Sequence, residues 1–322
     1  MRRHRLSVEG RVESRACTTG TSARVGASRR RVRGFTLIEM VAALVIVAIL
    51  SAFMAVFLQA PLQTYFDVTG RAQLADASNL AIQRMSLDLS TALPNSVRIT
   101  QIGGVVYLEY LQVRTGGRYR TGAPLPAGCP APSAAIDFGA ADTCFVTMGP
   151  LTGGLAPQVG NDFVVVDNQG LGCPNNAYAS GNVTGGSKSL ITGFAVFGGA
   201  QPYDRIQMQA INFPLICQSP TDWFYVISQA VSYECNPTTG LLVVHSGYPI
   251  SAVQPTAFAA GVSAQLASGL TSCSMTYFTN TNSSTTSGTV SATLVFSRTD
   301  PAATGNTESL TVFTQLHVSD AL

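Results

Sequence analysis

The chain is poor in charge. Asp, Glu, Lys and Arg make up only 11% of its 322 residues, against about 25% in ordinary soluble domains. With 46% hydrophobic residues as well, it lacks the high charge and low hydrophobicity that keep a chain disordered. Lysine is nearly absent, Lys188 being the single example, so no basic domain is available to bind nucleic acid. The only histidines are His4, His245 and His317. The last two fall in strand-like segments and read as structural or surface residues. No H-E-x-x-H or G-x-S-x-G occurs. No C-x-x-C occurs either, which removes the zinc ribbon and the thioredoxin-like redox site. Residues 181–189 approach a P-loop but place Ser187 where the Lys is required; a solvated Gly/Ser loop explains them better. The acids Asp137, Asp142, Asp162 and Asp167 match no calcium-loop spacing. We therefore expect no catalytic residue, cofactor or metal, and a chain that is not an enzyme.

What charge there is, is segregated. Residues 1–34 hold ten Arg against Glu9 and Glu13, whereas residues 35–322 hold nine basic and fifteen acidic groups. The overall +2 thus joins a basic arm to an acidic remainder, a pattern of targeting segments and interaction tails. A net-negative body also disfavours DNA as a ligand, although Arg114, Arg118 and Arg120 make one local basic spot.

Behind the arginine cluster lies FTLIEMVAALVIVAILSAFMAVFLQA, residues 35–60, with Glu39 as its only charge. The nineteen uncharged residues 40–58 would form a helix roughly 28 Å long, close to the ~30 Å hydrocarbon thickness of a bilayer. A cleaved secretory signal has a shorter apolar region and no acid within it. The basic flank predicts a cytoplasmic N-terminus and an exported C-terminal bulk. An acid in such a helix costs roughly 2.5–3.5 kcal/mol on insertion scales and needs a partner. The first basic residue after it is Arg71, some 48 Å further along a helix. The partner is therefore expected from another chain or from a new amino terminus close by.

The segment Gly34-Phe35-Thr36-Leu37-Ile38-Glu39 with its apolar run resembles the processing site of type IV prepilins and type II secretion pseudopilins. The resemblance implies that a prepilin peptidase cleaves after Gly34 and methylates the new terminus at Phe35. It implies too that Glu39, fifth in the processed chain, neutralises the terminal amine of a neighbouring subunit. The implied partners are the peptidase, major and other minor pilins, the inner-membrane assembly platform and inner-membrane lipid. The place is the bacterial inner membrane, single-pass, with the C-terminal domain in the periplasm and at the pilus tip after assembly. Residues 62–93, 231–249 and 308–322 further resemble the O family of minor pilins from mannose-sensitive haemagglutinin (MSHA) pilus systems. That family is itself similar to J-type pseudopilins and W-type minor pilins. Three roles stay open at this point: a minor pilin that primes or caps a pilus, a J-type pseudopilin of a type II secretion system, and a pilus-tip adhesin. A leader of 34 residues is long for the family, and a start at Val25 would shorten it to ten.

The remainder divides into an exported helical half, residues 61–93, and a β-rich domain, residues 94–322. Ile82, Met85, Leu89 and Leu93 recur at helical spacing, with Arg71, Asp76, Gln83, Arg84 and Asp88 opposite. Pro61 is expected to kink the helix and Pro94 to stop it near Leu93. Strands are expected at 105–113, 163–167, 190–197, 206–211, 223–233, 241–245, 289–297 and 308–318, with long loops at 115–135 and 280–288. Trp223, Phe224 and Tyr225 read as core. The fold class is α+β, a pilin-like long helix packed on antiparallel sheet. Cys17 lies in the leader. The other six, Cys129, Cys144, Cys173, Cys217, Cys235 and Cys273, suggest disulfides in an exported domain. Pairing neighbours in sequence would join Cys129 to Cys144 and Cys217 to Cys235, leaving Cys173 for Cys273.

Overall fold

The structure is a computed structural model. It describes residues 34–121, 129, 135–151, 155–168, 176–179, 186–199, 202–213, 219, 221–280, 287–299 and 307–318. The chain divides into two compact units, Met1–Ala60 and Pro61–Leu322. Helix α1 is Leu37–Ser90 and contains Pro61 without ending there. Twelve strands follow: β1 Arg98–Ile102, β2 Val105–Arg118, β3 Asp142–Val146, β4 Phe163–Val166, β5 Lys188–Phe197 and β6 Tyr203–Ile211, then β7 Trp223–Asn236, β8 Leu241–Tyr248, β9 Val262–Ser268, β10 Leu270–Asn280, β11 Ser287–Thr299 and β12 Thr307–Val318. The class is α+β, and all strand pairings are antiparallel.

The main sheet has nine strands in the order β1-β2-β7-β4-β5-β6-β3, with β8 on β7 and β9 on β8. Strand β7 is its spine. One edge of β7 pairs with β2 from Trp223 to Cys235. The other edge is shared: β4 takes residues 224–227 and β8 takes residues 230–236. The sheet therefore forks along β7. A second, three-stranded sheet runs β10-β11-β12. The turn at 237–240 closes the β7–β8 hairpin as its Asn-Pro-Thr-Thr-Gly sequence suggests. Asn236 Oδ1 accepts the backbone N–H groups of Thr238 and Thr239, and Gly240 takes a φ of 72°, a conformation open to glycine at little cost.

Within the second unit, α1 presents Ala81, Met85 and Leu89 to a core shared with Leu108 and Tyr110 of β2, Tyr233 of β7 and Val290, Ala292, Leu294 and Phe296 of β11. Each fully buried Met or Leu contributes about 1.5–3 kcal/mol. The alternation in β11 is as the sequence suggests, one face buried. Asp88 is a correction. It lies at the edge of the buried face, not on the solvent side, because the Tyr233 hydroxyl donates to its Oδ2 at 2.6 Å while Arg84 holds the same oxygen at 2.9 Å. A buried phenol needs a partner, and helical periodicity cannot show one on a strand 145 residues away. The helix ends at Ser90, before Leu93, because Ser90 and Thr91 turn their hydroxyls back onto the carbonyls of Leu87 and Asp88. Leu93 is buried beyond the helix and bonds by its N–H to Leu111 of β2.

Strands β1, β3, β9 and β10 escape the sequence reading. Three of them are short, and β9 is largely exposed, so their alternation is weak. The loop expected at 115–135 begins later than foreseen: β2 runs on through Arg118, and Tyr119 bridges to Thr147. The loop expected at 280–288 narrows, since β10 reaches Asn280 and β11 starts at Ser287; residues 281–286 lie outside the described residues. Phe224 is fully buried in the core, as expected.

A charged clamp fixes the three-stranded sheet to α1 within the second unit. Glu308 of β12 accepts from Arg71 of α1 at 2.7 Å and from Arg298 of β11 at 3.0 Å. Arg298 also donates to the carbonyl of Asp67. Its guanidinium lies on Gly70 and leaves no room there for a Cβ, which explains a glycine inside a helix despite its cost of about 1 kcal/mol. The two arginines hold the Glu308 carboxyl below the usual carboxylate range. A depressed acid contributes stability that is complete above its ordinary pKa and is lost as the pH falls through the lowered value. Thermal unfolding followed from pH ~6 to ~3 should therefore show a smaller acid-induced loss in Glu308→Gln than in the wild type. An equal loss in both would contradict the clamp.

Candidate functional site

The site begins where regular structure begins. Gly34, Phe35 and Thr36 precede α1, and Thr36 is its N-cap. Its hydroxyl oxygen accepts the Glu39 N–H at 3.3 Å, and its carbonyl accepts those of Glu39 and Met40 at 3.1 Å. Thr36-Leu37-Ile38-Glu39 is thus the Thr-x-x-Glu sequence of a capping box. The sequence reading used these residues as a processing motif and missed the cap, although the spacing announces it. Two consequences follow. The Gly34–Phe35 peptide bond lies in non-helical backbone. The Glu39 carboxylate stands in the first helical turn, where the helix dipole favours negative charge.

All of this is exposed in the isolated chain. Phe35 keeps 78% of its surface and Leu37 83%, and the large apolar residues on to Leu58 are exposed too. The most apolar stretch of α1 has none of its residues buried, and it is long and apolar enough to cross a membrane. Such a surface is stable only against lipid or other apolar helices. Glu39 has no ion-pair partner among the described residues.

The other residues singled out in the sequence are placed as follows. Cys129 is bonded to Cys144, and Cys235 to Cys273. The second bond corrects the expected pairings of Cys217 with Cys235 and of Cys173 with Cys273. Proximity in sequence misleads here because β10 packs onto β7 from across the core, bringing together residues 38 apart. Cys173 and Cys217 lie outside the described residues, as do Cys17, His4, Val25 and the arginines at 29–33. Arg114, Arg118 and Arg120 do not form a free basic spot: Arg114 pairs with Asp162 at 2.7 Å, while Arg118 and Arg120 donate to the carbonyls of Thr221 and Thr147. His245 is buried in β8 between Ser263 and Glu234, stacked on Phe258; His317 is exposed in β12. Asp142 caps the backbone N–H groups of Asp137, Thr143 and Cys144. Among the described residues no cluster of three His, Cys, Asp or Glu could hold a metal.

A buried ion pair sits behind β1. Arg98 forks onto both oxygens of Glu109 at 3.1 Å and donates its other N–H groups to the carbonyls of Ser251 and Ala252, with its guanidinium over Tyr178. Burial pushes the Glu109 carboxyl up to about 7, with Arg98 opposing it. Every polar atom of the Arg98 fork is engaged within the fold, so the pair reads as a tie between β1, β2 and the segment after β8.

No curated protein and no solved structure matches this chain. Residues 29–55 match the model of the prokaryotic N-terminal methylation motif, a match that spans the capped start of α1 and supports the class of type IV pilins and pseudopilins.

Proposed function

We propose that this chain is a minor pilin of a type IV pilus of the MSHA kind, a structural subunit that primes or caps assembly. The carrying observation is the coincidence of three features at one helix end. These are a non-helical Gly34–Phe35 bond, a first-turn Glu39 with no ion-pair partner among the described residues, and an apolar helix that none of the described residues covers. In this reading prepilin peptidase cuts after Gly34 and methylates Phe35. The apolar half of α1 holds the precursor in the inner membrane, N-terminus inside, with residues 94–322 in the periplasm. On assembly it leaves lipid for a bundle of like helices. The Glu39 carboxylate then meets a neighbour's terminal ammonium. A charge-assisted pair in a low dielectric is strong when complete and costly when broken, so it selects one axial register among many that apolar packing alone would allow. About 230 residues follow the helix, a large burden for a repeating subunit; this favours a place at the tip.

Two measurements test the proposal. Mass spectrometry of the membrane-extracted protein should find N-methylated Phe35 as the first residue; a terminus beyond residue 50 would refute processing at Gly34. Glu39→Ala should leave that cleavage intact while reducing incorporation into sheared pili by about tenfold or more, the equivalent of one lost buried pair partly compensated. Normal incorporation of the Ala variant would refute the assembly role.

A further inference from the structure

Strands β7, β8 and β9 carry a cluster of reactive groups far in sequence from the N-terminal motif. Their register sets Ser232, His245 and Ser263 in one cross-strand row, and Glu234, Val243 and Gln265 in the row two residues further on. Rows two residues apart share a face of the sheet. The His245 ring is bonded at both nitrogens: Nδ1 meets the Ser263 hydroxyl at 2.7 Å and Nε2 meets Glu234 Oε2 at 3.0 Å. The other Glu234 oxygen accepts from the Asn236 amide at 3.1 Å. Phe258 lies flat on the ring, with centroids 3.9 Å apart. The ring is thus fixed on both edges and one face. His245 is buried, at 7% exposure, whereas Ser263 is exposed. Glu234 and Ser263 stand 11 and 18 residues from His245, so no local motif announces the trio.

A carboxylate only accepts, so Glu234 takes the N–H of Nε2 and leaves the Nδ1 lone pair to accept from Ser263. That is the order of groups in a serine nucleophile with its base and its orienting acid. The base is dry and fixed, and the nucleophile faces solvent, where a substrate arrives. A hydrogen bond made only to join β8 to β9 needs no acid behind the ring; the acid decides which nitrogen stays basic. Charge developing on a carbonyl oxygen also needs a donor. Gln265 brings an exposed carboxamide to the same face, two residues beyond Ser263.

We propose that Ser263, His245 and Glu234 form a site that hydrolyses small neutral carboxylic esters. The Ser263 oxygen adds to the ester carbonyl carbon as its proton passes to His245 Nδ1. The bond from that carbon to the alcohol oxygen breaks, and the alcohol leaves with the proton. Water, giving its proton to His245 in turn, attacks the acyl-serine and releases the carboxylic acid and free Ser263. Glu234 is a positioning residue: it holds the ring in one tautomer and balances the imidazolium between these steps. The surroundings set the substrate class. Among the described residues Glu234 is the charged side chain bonded to the ring, so an anionic acyl group is repelled. Phe258, half-buried over the ring, offers an apolar surface that suits a short acyl chain. Strand β9 pairs only with β8 among the described residues, so the alcohol side of the ester has an open sheet edge beside it. This activity is separate from the structural role proposed above and does not rest on it.

The full chain is held in nanodiscs of ether-linked phosphatidylcholine, which bring no carboxylic ester of their own. Hydrolysis of 4-nitrophenyl acetate is followed by release of nitrophenolate, and a fluorophosphonate probe is mapped by peptide mass spectrometry. Turnover above that of the heat-denatured chain should rise from pH ~6 to ~8 as the imidazole loses its proton, and the probe should label Ser263. Ser263→Ala should remove both signals. His245→Gln should slow turnover about a hundredfold. Glu234→Gln should lower turnover and move the midpoint of its pH profile downward, because an imidazole without its carboxylate gives up its proton more easily. A residue that merely tied strands together would leave that midpoint alone. Ser263 lies exposed on an edge strand, so its variant keeps the test open if either other substitution prevents folding. No turnover above the denatured chain, no label on Ser263, turnover that survives Ser263→Ala at an unchanged melting temperature, or an unmoved pH profile in folded Glu234→Gln would overturn the proposal. None of these outcomes depends on processing at Gly34.

Discussion

The pairing of β7 with β2 is the constraint on which the rest of the second unit depends. All three buried clusters rest on β7: Val231, Tyr233 and Cys235 face the helix core, Phe224 and Val226 the core of β5 and β6, and Ile227 and Ala230 the third. A one-residue slip in this ladder would exchange the two faces of the strand and dismantle every core at once. The Cys235–Cys273 bond anchors the three-stranded sheet to the same strand. Closing a loop of that length adds roughly 3–4 kcal/mol by restricting the unfolded chain.

Around this spine the protein separates two kinds of apolar surface. In the second unit one face of α1, with Ala81, Met85 and Leu89, is covered by sheet, and Asp88 at its margin is held by both Tyr233 and Arg84. In the first unit the apolar surface is left uncovered. The first arrangement makes a stable domain; the second makes a surface that must find lipid or other helices. The change from one to the other within a single helix fits the proposed part, held first in a membrane and then in a fibre.

How much of this the sequence reveals depends on the range of the interactions involved. The apolar run, the N-terminal methylation motif, the 236–240 turn and the alternation of β11 are local patterns, and the sequence shows them plainly. Asp88 looks like a solvent-facing acid because its partner, Tyr233, lies on a distant strand. The Cys235–Cys273 bond has the same cause: its members come from β7 and β10, and no spacing within one segment announces it. Thr36 is a different case. Its Thr-x-x-Glu signal is local and legible, but its residues also fall in the match to the N-terminal methylation motif, which accounts for them without reference to the cap.

That cap matters most in the solvent this helix is built for. In water an open helix end costs little, since water replaces the missing partners. In hydrocarbon each bare N–H costs several kcal/mol. Under the proposed cleavage after Gly34, the leader with its ten arginines would be lost and Thr36 would stay, so the shortened chain would keep the hydroxyl that caps its helix. Such a cut would change the charge of the terminus and leave in place the hydrogen bonds of the turn that carries Glu39. In the proposed passage from precursor to fibre, the first-turn geometry of Glu39 would already be set.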